Sequence, residues 1–357
     1  MSGAGGAFEF NAKRPSAGSR YSDRMYEPIP VLPADLEPTL RGVLTGHGGL
    51  PLAWARWEHP EPKGRVVISH GYGEHGERYR HTAHWLHGLG WSVSSMDHAG
   101  FGRSGGIRGD ATSIRAFVDD FALFLRQERR HDAERTGATA RVVDGVPMPP
   151  LPVCPQVVLG HSFGGLVSLL TLLWHADTLD GLVLSSPSLA VRSNSRALVV
   201  LSRVLRWVMP HRPVLLHGDK NRVCSDPVIV QRYEADPLCH RWATAAFGAA
   251  LEEGRAELLP LGHELDRPIL LLESGTDTVV DPDASEELWS AVTPSLLERH
   301  RLPAFFHEVF HDRHRAEAQA LVEPWLEKLR QSWNPSLRPW NPSHHPAMSE
   351  LSSPESA

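Results

Sequence analysis

The chain reads as an α/β protein, a mostly parallel sheet with helices on both sides, and three observations predict it. Short runs rich in Val, Ile and Leu (RVVISHG, QVVLGHS, GLVLSSP and PILLLESG) have the length and unbroken apolarity of strands buried on both faces. Segments with a 3.6-residue apolar period lie between them. Glycine-rich turns follow several of the runs, as expected where a strand hands over to a helix.

Taken in order, RVVISHG is followed by a helix from about Glu77 to Leu89 that Gly90 closes, then by the strand WSVSSMDH. The next helix carries Ile114, Phe117, Val118, Phe121, Phe124 and Leu125 on one face. The proline-rich RVVDGVPMPPLPVCP reads as a surface loop inserted before QVVLGHS. After GLVLSSP, about eighty residues of mainly helical pattern break the alternation before PILLLESG resumes it. An excursion of that size from one strand end is expected to form a cap. The boundaries that follow are a core at 39–188 and 266–332, a helical cap at 189–265, and poorly ordered tails at 1–38 and 333–357, both rich in small and turn-forming residues.

Composition narrows the function classes. The chain has 357 residues, 41% hydrophobic and 22% charged, which suits a globular protein with a sizeable core. A formal net charge of −6, with both signs interspersed, offers no extended basic face for a nucleic-acid backbone. Cys154, Cys224 and Cys239 form no CxxC pair, so neither a disulfide framework nor a zinc ribbon is indicated. With no apolar leader and no run of about 18 apolar residues, a soluble, cytoplasmic protein is expected, at most peripheral at membranes.

LGHSFGG, Leu159 to Gly165, is the most informative stretch. Gly160 and Gly164 lack side chains where a buried strand must turn sharply into a helix, which would leave the Ser162 hydroxyl exposed on a strained turn. The backbone N–H of Phe163 would face the same way, at the positive end of the new helix. A serine nucleophile needs a base, a carboxylate to orient that base, and donors for an oxyanion. Asp277, in the loop after PILLLESG, is the preferred carboxylate. Asp281, its competitor, precedes Pro282 and a helical pattern and so reads as a helix N-cap. In HGYGEHGERY, after the first buried run, the Tyr72 N–H is the expected second oxyanion donor beside that of Phe163.

FHEVFHDRHR, Phe306 to Arg315, contains an HExxH sequence. Pro303 and the aromatic, strand-favouring AFFHEVF speak against a zinc-binding helix through both histidines. The motif is read as straddling the last strand and its exit loop, with His311 at the strand end as the general base and His307 and Glu308 as strand residues. No metal or organic cofactor is required by this scheme.

HGYGEHGERY, DHAGFGRSGG, GHSFGG, the Asp in LLLESGTD and the His in FHDRH, in that order, resemble the monoacylglycerol lipase and lysophospholipase-like serine hydrolases of the α/β-hydrolase superfamily. The similarity runs from about Arg41 to Trp333 and includes YEADPL of the cap. It implies a core sheet of about eight strands, a helical cap inserted after the sixth, and a triad of Ser162, Asp277 and His311. It also implies a polar pocket for the alcohol of the ester, lined by Glu74, Arg78 and His314. As residues alone, Glu74 and Arg78 are spaced as an ion pair at a helix start, and His314 fits a solvated loop.

The expected reaction is hydrolysis of a small lipid ester of the monoacylglycerol type through an acyl-enzyme. Lysophospholipids, other carboxylic esters and amino-terminal peptide bonds are alternatives on the same triad, as is a binding protein without activity. The apolar stretch Ala197 to Met209 suits an acyl-chain tunnel, a transient membrane or micelle contact, or a helix buried within the cap.

Overall fold

The computed structural model describes residues 35–138, 141–143, 146–148, 153–190, 209–215 and 223–335. Its centre is an eight-stranded sheet. The strands are β1 (Leu40–Thr45), β2 (Pro51–Trp57), β3 (Arg65–Ser69), β4 (Ser92–Met96), β5 (Gln156–His161), β6 (Gly181–Ser185), β7 (Ile269–Ser274) and β8 (Leu297–Leu302). They lie in the order β1-β2-β4-β3-β5-β6-β7-β8. Only β2 runs against its neighbours, pairing antiparallel with β1 and β4, while the pairs from β4 to β8 are parallel. This is the sheet of the α/β-hydrolase fold.

Alternation along the inner strands explains why their apolar runs are unbroken. Val67, Val158 and Leu271 join one core cluster, and their neighbours Val66, Ile68, Val157, Leu159, Leu270 and Leu272 join the cluster on the opposite face. On the first face lie α2 (Ile114–Thr136), α3 (Phe163–Trp174) and, after β7, α6 (Glu286–Ala291). On the second lie α1 (Arg80–Gly88) and α7 (Arg315–Ser332). The expected face of α2, from Ile114 to Leu125, is buried, and the helix is closed at its two ends by a Ser113 side chain accepting from Ala116 N at 3.1 Å and by Gly137 at φ 70°.

The chain leaves β3 for β4 on one side and returns to place β5 on the other. Strand order therefore reverses between β3 and β5, and the loops at their carboxyl ends part to form a crevice. Ser162 and the HGYG turn stand at that point.

Between β6 and β7 the described residues form α4 (Pro227–Ala235), α5 (Ala245–Leu258) and a two-residue ladder pairing Val214–Leu215 with Trp242–Ala243. The α5 helix lies against α3 and the start of α2; a Cβ on Gly254 would meet Ile114 and Leu170 side chains at 2.7 and 3.0 Å. That cover explains why α3 is apolar all round. Most of the apolar stretch Ala197 to Met209 falls outside the described residues, as do 1–34 and 336–357. Residues 35–38, assigned to the tail from sequence, pack on the core: Leu36 O accepts from Trp57 Nε1 at 2.6 Å. Within the proline-rich segment, Arg141–Val143 and Val146–Met148 pair as an antiparallel hairpin.

The last strand departs from expectation. It is the polar LERHRL of β8, an edge strand paired only with β7, and the aromatic AFFHEVF forms a loop ending in a 3-10 turn, Val309–His311. Phe305, Val309 and Phe310 are fully buried against α7 and β7, so their apolarity serves core packing from a loop.

The strand-to-helix turn after β5 generates a test. A Cβ on Gly164 would lie 2.1 Å from the backbone O of Ser69, whereas one on Gly248, in α5, meets nothing within 4 Å. Gly164→Ala is expected to destabilise the fold by about 3 kcal/mol or more, because a backbone carbonyl of β3 must move. Gly248→Ala should be neutral or stabilise by up to about 1 kcal/mol. Denaturant unfolding of the two variants checks both.

Candidate active site

Ser162 sits between β5 and α3 with φ 51° and ψ −115°, one of two non-glycine residues with positive φ among the described residues. The conformation is costly for an L-residue and persists because its surroundings over-determine it. The Ser162 N–H donates to Ser185 O at 3.0 Å, and its carbonyl accepts from Gly165, Leu166 and Ser188 at 3.0, 3.2 and 2.9 Å. Ser188 is held in turn by Arg255 of α5, which donates to its carbonyl and hydroxyl at 2.8 Å each. Gly160 and Gly164 are required sterically: a Cβ on the first would meet Ser168 Oγ at 2.6 Å and one on the second the β3 backbone.

The side chain facing Ser162 is His307. Its Nε2 lies 2.9 Å from Ser162 Oγ and its Nδ1 2.8 Å from Asp277 Oδ2. With the proton on Nδ1, the ring donates to Asp277 and accepts from the serine hydroxyl, the arrangement a general base needs. The second oxygen of Asp277, Oδ1, accepts from the N–H groups of Val279 and Val280 at 2.8 and 2.9 Å. Burial alone would raise the Asp277 carboxyl, but the His307 charge, its hydrogen bond and the two backbone donors outweigh burial and hold it below the usual range. Asp281 stands four residues on, at the N-cap position of a 3-10 turn, Pro282–Ser285.

His311, the base expected from the sequence, does not face Ser162. It ends the 3-10 turn with its ring buried 4.6 Å from Tyr79 and 5.0 Å from His81, and its Nε2 is 3.4 Å from the carbonyl of Arg78. Burial first, and Arg78 second, push its pKa well below the ordinary value, which favours the neutral ring. The shift from residue 311 to 307 follows from the strand boundary: β8 stops at Leu302, Pro303 removes the next N–H, and a loop reaches the crevice five residues after the strand, well before His311. Pro303 was the signal in the sequence that could have placed the strand end. The two histidines of HExxH point to different partners, which removes the geometry of a zinc helix.

His161 fills the far side of the site, its ring 4.8 Å from that of His307 and its Nδ1 within 3.1 Å of the Ser185 carbonyl and hydroxyl. Burial and the neighbouring His307 push its pKa down to about 4, so it adds no positive charge beside the base at neutral pH.

Phe163 opens α3, and Tyr72 lies in the turn after β3, next to Gly73 at φ 75°. The Gly73 carbonyl accepts from His240 N at 2.9 Å and Tyr233 Oη at 3.0 Å, which fixes that turn against the inserted segment.

The three residues expected to bind the alcohol all have protein partners in the structure. Glu74 is buried and accepts from Gly71 N at 2.6 Å, from Tyr79 Oη at 2.9 Å and from Arg78. Arg78 also pairs with Glu308 at 3.1 Å, with its guanidinium 4.9 Å from the Tyr233 ring. His314 stands at the N-terminus of α7, bonded through Nδ1 to Asp312 at 3.0 Å, with its side chain 39% exposed. The ion-pair reading of Glu74 and Arg78 describes their geometry, though Glu308 was not foreseen as the third member.

A family model described as serine aminopeptidase, S33 matches residues 60–314, well over half of the chain. The chain belongs to this family. Among its relatives, a monoacylglycerol lipase of Mycolicibacterium smegmatis is 29% identical over 284 residues, 79% of this chain and 94% of the relative. A monoglyceride lipase of Mus musculus is 31% identical over 223 residues, 62% of this chain and 67% of the relative. The crystal structure of a monoacylglycerol lipase of Paleococcus ferrophilus superposes with a TM-score of 0.65 at 26% identity, covering 78% of this chain and 99% of that one. The hydrolase thus sits within the α/β-hydrolase superfamily beside proteins named for monoacylglycerol hydrolysis.

Asp277 and Asp281 can be separated by experiment. Asp277→Asn presents an amide where Nδ1–H needs an acceptor and is expected to lower kcat by about 10⁴-fold. Asp281→Asn should leave kcat within about threefold. Steady-state hydrolysis of a chromogenic ester decides between them.

Proposed function

We propose that this protein is a carboxylic ester hydrolase that cleaves monoacylglycerol-type esters to a fatty acid and an alcohol, with Ser162 as nucleophile, His307 as base and Asp277 as its orienting carboxylate. The single observation that carries the chemistry is the unbroken chain Ser162 Oγ, His307, Asp277 at 2.9 and 2.8 Å. The substrate class is supported by the relatives named above.

His307 takes the Ser162 proton as the hydroxyl attacks the ester carbonyl. The oxyanion is received by the N–H groups of Phe163 and Tyr72, each worth about 2.7–4 kcal/mol in the transition state. Asp277 holds the imidazole tautomer and stabilises the imidazolium that forms. His307 then gives its proton to the departing alcohol, and a water activated by the same ring releases the acid from Ser162.

The segment between β6 and β7 acts as a cap over the acyl chain. Met209, Val214 and Leu215 expose 44%, 50% and 42% of their surface at its rim, which suits transient contact with a micelle or bilayer. No helix among the described residues is long and apolar enough to cross a membrane.

The family description also names aminopeptidases, whose substrate amine needs an anionic pocket. Glu74 is the acidic residue beside the HGYG turn that could supply it, and its carboxylate oxygens are already taken by Arg78, Tyr79 Oη and Gly71 N. That favours an ester over a peptide.

Purified protein should release fatty acid from a medium-chain 1-monoacylglycerol, and Ser162→Ala should abolish release. Preference for lysophosphatidylcholine would move the substrate to a lysophospholipid. Activity on an amino-terminal peptide amide but neither lipid would overturn the ester reading.

A further inference from the structure

The buried charges Glu74, Arg78 and Glu308 lie between two loops that the reaction needs in register. Glu74 belongs to the loop after β3, where it holds Gly71 N at 2.6 Å, one residue before Tyr72. Glu308 immediately follows His307. Arg78 joins them, pairing with Glu74 Oε2 through Nη1 and reaching Glu308 through Nη2 at 3.1 Å and Nη1 at 3.4 Å. The three residues are 2%, 8% and 8% exposed, and Arg78 also lines a small cavity with Tyr233, Asp236 and His311. Two further contacts tie the inserted segment to the same loops: Glu308 N donates to Val223 O at 2.8 Å, and Tyr233, whose ring faces Arg78, donates to Gly73 O at 3.0 Å.

We propose that Arg78, held between Glu74 and Glu308, is a positioning residue that fixes the loop carrying the Tyr72 N–H relative to the loop carrying His307. The proposal rests on the serine-hydrolase reading above. A planar guanidinium can fork onto two carboxylates in fixed directions, which the point charge of a lysine cannot do. Displacing a base or an oxyanion donor by about 1 Å costs on the order of 10²-fold in rate. The acidic residue of HExxH thus has a structural reason to stand next to the base.

The test uses the full chain with Arg78→Lys and Glu308→Gln, assayed on a 1-monoacylglycerol, on the p-nitrophenyl ester of the same acyl chain, and by the rate at which a fluorophosphonate labels Ser162. Glu308→Gln leaves one guanidinium against one carboxylate, so no buried charge is stranded. It carries the test if Arg78→Lys fails to fold by circular dichroism. The expected result is a fall of roughly 10- to 100-fold in kcat for both esters and in labelling rate, by a common factor, with KM within about twofold. A loss confined to the glyceride, seen as a raised KM with labelling unchanged, would make Arg78 a head-group ligand and overturn the proposal, as would no change in any readout. If the unmodified protein labels but hydrolyses neither ester, the substrate reading fails while the labelling rates still decide the role of Arg78.

Discussion

The structure depends on one strained turn. Ser162 occupies a conformation that an isolated serine avoids, and it does so because β5 is pinned between β3 and β6 while α3 must start at Phe163. Neither glycine beside it can be replaced without moving backbone or a neighbouring side chain, and the carbonyl of the serine itself is bound by three N–H groups. What results is a hydroxyl presented at the point where strand order reverses, next to the first N–H groups of a helix. The other groups of the site are brought to that hydroxyl by loops.

Those loops are fixed by buried polar contacts. Asp277 is anchored by two N–H groups of its own loop, His307 by Asp277, and the turn carrying Tyr72 by Glu74 and by donors from the inserted segment. Burial keeps His161 and His311 neutral, so the charge that forms on His307 during turnover faces Asp277 without a competing cation from either ring. The segment between β6 and β7 takes part in this anchoring through Arg255, Val223, Tyr233 and His240.

The sheet and its nucleophile were legible because their signals are local and strong. Buried parallel strands have little freedom of composition, and GxSxG between a strand and a helix has a steric reason. Asp277 was legible for a similar reason, since it directly follows an apolar run. The histidine that faces Ser162 lies four residues before the one expected because the last strand lies at the sheet edge, where LERHRL carries the polar residues an edge tolerates and gives no apolar run. The aromatic AFFHEVF drew the strand assignment to itself, although its bulk fills the core from a loop. Glu74 and Arg78 were seen as a pair, but their partner Glu308 is 230 residues from Arg78, a contact that no local pattern encodes.

The central claim is that His307, not His311, serves Ser162. The most direct measurement compares kcat for His307→Gln and His311→Gln on the same ester, with folding of both checked by circular dichroism. A fall on the order of 10⁴-fold or more for the first, and no more than about tenfold for a folded second, is the predicted result. Near-normal turnover by His307→Gln together with loss in a folded His311→Gln would contradict it.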